Sequence, residues 1–132
     1  CFGDVGVMEN NTYKSIQDLD LCNEPEWLDN HNPILNQLSY KQVSAITVNT
    51  ISDDDTYISK LKQKWNADVE SMEGAALHYI CQHQKINYLQ IRSISNKVGV
   101  RDKKLWKLKE SINSLNNELG KTINHIMKNN NE

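Results

Sequence analysis

Two short runs, residues 43–48 (VSAITV) and 88–94 (YLQIRSI), stand between stretches whose apolar residues recur at helical spacing. This alternation constrains the fold more than any other feature of the chain. Runs with so few charges lie inside a layered domain, where helices cover the faces of the sheet. One helical stretch is predicted over residues 56–65, with Asp54 or Asp55 as its N-cap. A second is marked by Met72, Ala75, Ala76, Tyr79, Ile80 and His83. A third covers residues 103–127, with the apolar stripe Leu108, Ile112, Leu115, Leu119, Ile123 and Ile126. The order strand, helix, helix, strand, helix predicts an α/β domain with a largely buried sheet, on which the third helix lays its stripe.

The connecting segments are less regular. Residues 2–7 carry two glycines and read as the end of a strand running into a turn. Residues 9–42 are rich in Asn and Asp and punctuated by Pro25 and Pro33, so mostly loop with a helical turn or two is expected. So long an irregular stretch is either a functional loop or a sign that its packing partners lie elsewhere. Asp68 and Val69 suit a short edge strand. Glu70 and Glu73 are expected in the first turn of the second helix, at the positive end of its dipole. Gly74, Ala75 and Ala76 would let that helix approach a sheet closely. Residues 95–101 read as a turn around Gly99, and the polar tail 128–132 is expected to fray.

Composition bears mainly on what the chain does not do. Its 132 residues suffice for one modest domain, and a net charge of -2 gives no grip on nucleic acid or anionic lipid. The lysines of residues 97–109 are interrupted by Asp102 and Trp106 and read as a solvated helix face. Cys1, Cys22 and Cys81 form no CxxC or Cys/His pattern, which predicts reduced thiols and a cytoplasmic location. Cys81, within a predicted helix, reads as core. No signal peptide is read in these residues and no apolar run has membrane-spanning length, so neither export nor a membrane span is expected. His31, His78, His83 and His125 show no metal-ligand spacing. Asp53, Asp54 and Asp55 are not followed by a calcium loop and read as a capped turn. No metal or cofactor is expected. The opening Cys-Phe-Gly-Asp, in place of a starting Met, reads as a fragment that begins inside a domain.

The segment 68–102 carries the chemistry. Ser71-Met72-Glu73-Gly74-Ala75-Ala76 resembles the Met-Glu-Xaa-Ala-Ala helix start of the nucleoside phosphorylase/nucleosidase superfamily. Arg92-Ser93-Ile94-Ser95-Asn96 resembles its Arg-Xaa-Ile-Ser-Asp/Asn strand end, and the interval between the two also fits. Asn96, Val98-Gly99, Arg101-Asp102 and Trp106 are similar to the futalosine hydrolase family, as are the opening Cys-Phe-Gly-Asp and Ile46-Thr47-Val48-Asn49-Thr50. The resemblance is strong over residues 68–120 and weaker over 1–67. It implies part of a layered α/β/α nucleoside phosphorylase-like domain with a central mixed sheet, residues 1–132 being its C-terminal portion and the N-terminal half absent. It further implies hydrolysis of the N-glycosidic bond of futalosine, a step of menaquinone biosynthesis that releases hypoxanthine with water as nucleophile and without a cofactor. The partner is then a small purine nucleoside, and the full-length protein a homo-oligomer. The water-activating glutamate and the Gly-rich loop of the family have no counterpart in this chain, so the 132 residues alone are expected to be inactive.

Residue by residue, the resemblance gives Glu73 the ribose hydroxyls and packs Met72 on the sugar. The chemistry agrees. Glycosidic cleavage builds oxocarbenium character on the sugar, and a carboxylate bound to two ribose hydroxyls fixes the ring and adds negative charge beside the cation. The plainer account makes Glu73 a helix-start residue and Met72 core, and from the helix alone it is preferred. Together with the second motif at its spacing, the functional account is preferred. Asn96 presents an amide donor and acceptor, suited to O6 and protonated N7 of a 6-oxopurine. Relatives that act on adenine carry Asp there, so Asn96 points to hypoxanthine or guanine. It is equally a residue that caps a strand-to-loop turn. Where the Asp of those relatives acts as general acid, Asn96 cannot. Asp102, the nearest downstream acid, is read as a cap for the final helix or a partner of Arg101. Arg92, near a strand end, takes from the resemblance a place near the ribose and the hydrolytic water, with a structural ion pair as the alternative. Arg101 meets the substrate's carboxylate tail or is a solvated surface residue. The competing functions are a 6-oxopurine nucleoside phosphorylase, a methylthioadenosine/S-adenosylhomocysteine nucleosidase, and an inactive fragment that packs against a partner.

Overall fold

The computed structural model describes residues 1–129. Its elements run β1 (Gly6–Glu9), β2 (Thr12–Ser15), β3 (Ala45–Thr47), α1 (Asp55–Trp65), β4 (Val69–Ser71), α2 (Gly74–His83) and α3 (Leu108–Asn129), with 3-10 turns at Pro33–Asn36 and Lys103–Leu105. The α/β class is as expected. β3 and β4 pair in parallel, Ala45 opposite Val69 and Thr47 opposite Ser71, and α1 makes the crossover between them. Phe2 bridges to Thr47 on the other side of β3, again in parallel. No helix among the described residues is long and apolar enough to cross a membrane.

Local chemistry explains the boundaries. The Asp54 carboxylate accepts from the amides of Thr56 and Tyr57 and starts α1. Asn66, in the left-handed region at φ 45°, ends it, its amide returning to the Lys62 carbonyl. The core is formed by Cys1, Ile46, Val48, Leu61 and Trp65, with Tyr13, Trp27, Tyr57 and Ala67 against it. The Trp65 indole N–H donates to the Gly3 carbonyl at 2.8 Å, and Trp27 meets its ring edge-to-face at 6.1 Å. Cys81 is buried, as expected for a core thiol.

Five expectations change. The segment read as loop contains half of a hairpin: β1 pairs antiparallel with β2 through Asn10 and Asn11, both at positive φ. Asn tolerates that region, and a two-residue turn with both φ positive matches the twist of the strands. Residues 88–94 form no ladder among the described residues. The Tyr88 carbonyl instead takes the side-chain amides of Asn30 and Asn32, each at 3.1 Å. β4 is engaged by β3, and a strand exists only where a neighbour takes its backbone groups. The second helix begins at Gly74, so Glu70 lies on β4 and Glu73 at the N-cap position. Its inward face is Gly74, Ala75 and Cys81, while Tyr79 and Ile80 are exposed.

The last two concern α3. It starts after the 3-10 turn and continues through Lys128 and Asn129, where fraying was expected; residues 130–132 lie outside the described residues. Its apolar stripe is largely uncovered: Leu108, Ile112, Leu119 and Ile123 are exposed, and only Leu115 and Ile126 are half-buried. The side facing the molecule carries the buried Ser111 and Thr122. There the Tyr40 hydroxyl lies 3.0 Å from both the Glu118 carboxylate and the Thr122 hydroxyl. Polar contacts with the 40s loop, set beside the stripe, determine which side of the helix turns inward.

Candidate functional site

Strand β4 with the Met72 that follows it, the segment 90–101, and Leu115 of α3 enclose a groove of about 490 Å³. Its walls include Glu70, Met72, Arg92, Asn96, Arg101 and Trp106. Three of the four sequence-predicted site residues, Met72, Arg92 and Asn96, therefore share one groove. Glu73 is not part of its wall. It is exposed, and its side chain makes no cap hydrogen bond. A larger cavity of about 700 Å³ shares Gln90, Ile91 and Arg92 as a wall, but neither Met72 nor Asn96 reaches it.

The start of α2 is held from the sheet. The amide of Ala75 is one of the unpaired donors of a helix's first turn. Thr47 of β3 accepts it through Oγ1 at 2.8 Å, both groups buried. The hydroxyl thus does the capping that Glu73 does not, and fixes Met72 and Glu73 relative to β3.

Arg92 is half-buried. Its Nε–H donates to Gln90 Oε1 at 3.0 Å, and Gln90 Nε2 donates to the Gly74 carbonyl at 3.4 Å. Among the described residues no carboxylate lies within ion-pair distance of it. The Asn96 amide is engaged at both ends: Oδ1 accepts from the Ser95 hydroxyl at 2.6 Å, and Nδ2 donates to the Lys97 carbonyl at 3.0 Å. These are turn contacts. They use one of its two N–H groups and one lone pair, leaving one of each. Asp102 accepts from the Lys104 amide at 3.0 Å and caps the 3-10 turn rather than the final helix or Arg101. Arg101 is exposed at the groove wall.

Sequence reasoning missed the roles of two residues here. Glu70, read as a helix-start acid, is half-buried on the groove wall, and burial pushes its carboxyl up, with Asp4 adding to the effect. Asp4 in turn accepts the amides of Asn49 and Thr50 and holds the chain that leaves β3. Gln90 was read only as part of a strand. Its signal is a long polar side chain two residues before Arg92, in a run that reads as a buried strand.

His78, on α2, lies with Nδ1 3.0 Å from the Leu28 carbonyl and 2.9 Å from the Tyr88 hydroxyl. Burial lowers its pKa, so the neutral ring is favoured. Its contacts tie α2 to the segments on either side. Among the described residues no three His, Cys, Asp or Glu side chains come together as a metal site.

Comparison with known proteins gives the family. The chain is 33% identical over 78 residues to a futalosine hydrolase of Thermus thermophilus, covering 59% of this chain and 35% of that protein. It is 24% identical over 122 residues to a futalosine hydrolase of Acidothermus cellulolyticus, covering 85% of this chain and 49% of that one. The chain thus spans half or less of the length of these relatives. No solved structure gives a significant match. Residues 24–128 match the profile of the phosphorylase superfamily, a stretch that holds β3, β4, α1, α2, all but the last residue of α3 and every wall of the groove, and the chain belongs to that family.

Proposed function

We propose that residues 1–132 are the C-terminal portion of a single nucleosidase-type domain, and that the groove takes part in N-glycosidic hydrolysis of futalosine, releasing hypoxanthine. The observation that carries the reading is the meeting of Met72, Arg92 and Asn96 in one groove, each from the motif that suggested it. The likeness to two futalosine hydrolases favours hydrolysis over transfer to phosphate.

In this reading Met72 packs on the sugar and Glu73, next to it, binds the ribose hydroxyls. The carboxylate makes no hydrogen bond among the described residues and so carries no competing partner. Asn96 uses its remaining N–H and lone pair on O6 and N7 of the base. As the bond to the sugar breaks, charge builds on the purine, and these hydrogen bonds stabilise it as a leaving group. Arg92 stands at the ribose end. Water is the nucleophile. The group that activates it, and the proton donor, lie outside this chain. The working protein is a cytoplasmic homo-oligomer acting in menaquinone biosynthesis, and the 132 residues alone are inactive.

The test is release of free base from futalosine, inosine and methylthioadenosine, with and without phosphate. It is run on this chain alone and on the chain joined to the N-terminal remainder of the Thermus relative. Hypoxanthine from futalosine without phosphate supports the reading. Release from inosine only with phosphate moves the protein to the phosphorylases. Release of adenine alone shows that Asn96 was misread. Turnover by the 132-residue chain at rates typical of enzymes, about 1 per second or more, overturns its proposed inactivity.

A further inference from the structure

We propose that Gln90 is a positioning residue for Arg92, an arm that fixes the guanidinium at the groove by tying it to the first residue of α2. This rests on the reading of the groove as the nucleoside site.

The argument starts from donors and acceptors. A guanidinium only donates, and a backbone carbonyl only accepts. A group that bridges the two must accept from the guanidinium and donate to the carbonyl, which an ionised carboxylate, an acceptor only, cannot do. An amide can serve both at once. Gln90 does so: Oε1 accepts from Arg92 Nε–H at 3.0 Å, while Nε2 donates to the Gly74 carbonyl at 3.4 Å. The orientation of the amide is set by this chemistry, because the reverse would place an oxygen on a carbonyl and an NH2 on a cation.

Binding through Nε matters for what remains. It fixes the plane of the guanidinium and leaves both terminal nitrogens, with their four N–H donors, unspent by this bond. No carboxylate lies within ion-pair distance of Arg92 among the described residues, so its charge is not consumed by a structural ion pair.

The local packing is shaped to the same end. A Cβ on Gly74 would stand 2.8 Å from Arg92 Nη2, 3.1 Å from Gln90 Oε1 and 3.2 Å from Ser71 Oγ. The absence of a side chain at Gly74 makes the space in which the amide and the guanidinium meet. Ser71 Oγ, in the same corner, is buried without a partner among the described residues. Gln90 makes no other side-chain hydrogen bond among the described residues, so these two account for its amide. The polar choice is explained by Arg92.

The experiment compares Gln90→Leu, Gln90→Glu and Gly74→Ala with the parent. The first readout is the Arg92 Nε–H resonance and its exchange rate in the 15N-labelled chain. The second is kcat/KM for base release, in whichever protein form releases base. Gln90→Leu removes both hydrogen bonds: the Nε–H resonance shifts, its exchange accelerates, and kcat/KM falls about tenfold. Gln90→Glu keeps the acceptor for Arg92 but has no donor for the Gly74 carbonyl. It restores the slow Nε–H exchange and, with the tie to α2 lost, only part of kcat/KM. A purely structural tie between α2 and residue 90 would leave this variant as impaired as the leucine variant. Gly74→Ala displaces the guanidinium with Gln90 intact and shifts the Nε–H resonance. An Nε–H signal in Gln90→Leu that matches the parent in position and exchange overturns the proposal. So does a kcat/KM equally low in the glutamate and leucine variants. If no form releases base from any nucleoside, the chain joined to the N-terminal remainder of the Thermus relative included, the functional reading falls, and the exchange data alone decide the positioning role.

Discussion

Replacing Thr47 by valine isolates the bond that anchors α2 to the sheet. Thr47 is 6% exposed, and its hydroxyl is the acceptor for the buried Ala75 amide. Valine has nearly the same shape, so the packing survives and only the acceptor is lost. A buried N–H left without a partner costs about 1–3 kcal/mol, and loss of a helix N-cap about 0.5–2 kcal/mol. Removing the hydroxyl's own burial cost offsets part of this, which leaves about 1.5 kcal/mol. Thr47→Ser is the control. It keeps the acceptor and loses one methyl group, about 0.8 kcal/mol. The expected stability order is therefore threonine, serine, valine. If Thr47 mattered only as packing, the isosteric valine would outrank serine. Urea unfolding followed by tryptophan fluorescence reads the difference, since Trp27 and Trp65 sit in and against the core. With a slope of about 1–3 kcal/mol per molar urea, the valine variant's midpoint falls by roughly 0.5–1.5 M. A valine variant as stable as the serine variant, or more so, refutes the capping role.

Other expectations follow from the same geometry. Asn96→Asp lowers kcat/KM for hypoxanthine release about 10- to 100-fold, the loss of one or two hydrogen bonds to the leaving base, and shifts preference toward 6-aminopurines; parallel assays on futalosine and methylthioadenosine check it. Glu70 has its folded pKa raised by burial, so its ionised form destabilises the fold. Glu70→Gln is therefore more stable than the parent at neutral pH, and the difference shrinks as pH falls through the raised folded value and is closed below the ordinary value of 4.5, as a pH series of melting curves will show. Asp18 is held down to about 2, first by Lys64 and then by the Ser15 amide. Its contribution is complete above 3.8 and is lost as pH falls through the folded value, so Asp18→Asn is less stable at neutral pH and converges on the parent in acid. Ile112→Glu and Ile123→Glu, at exposed positions of α3, each change stability by less than about 0.5 kcal/mol, against about 2 kcal/mol or more for truncating the buried Val48 to alanine.

The fold was legible where a local rule sufficed. Asp54 starts α1 because a carboxylate accepts amides two and three residues on, and nothing distant is needed for that. The run at 43–48 yields β3 because its residues suit a buried strand and α1 supplies the crossover. The two motifs that brought Met72, Arg92 and Asn96 to attention are also local, and the groove they share follows from their places at the end of β4 and in the segment after residue 90.

What the sequence could not determine depended on who the neighbour is. Periodicity shows that α2 and α3 each have an apolar side but not that this side is covered. In α2 the small Gly74 and Ala75 turn inward because Thr47 meets the Ala75 amide, and Tyr79 and Ile80 are left outside. In α3 the contacts of Tyr40 with Glu118 and Thr122 face the helix inward beside its stripe, a pairing across the chain that no helical wheel contains. The Asn10–Asn11 hairpin was written in the sequence but weakly, since Asn-Asn marks a turn less sharply than Asn-Gly. The run 88–94 has the composition of a strand but no pairing partner among the described residues. The sequence by itself determined residue chemistry and local geometry: caps, turns, and the kinds of group that can bind a purine nucleoside. The tertiary structure alone decided which amide meets which hydroxyl and which glutamine meets which helix-start carbonyl. Hydrogen bonds act over about 3 Å, and only folding brings residues distant in sequence that close.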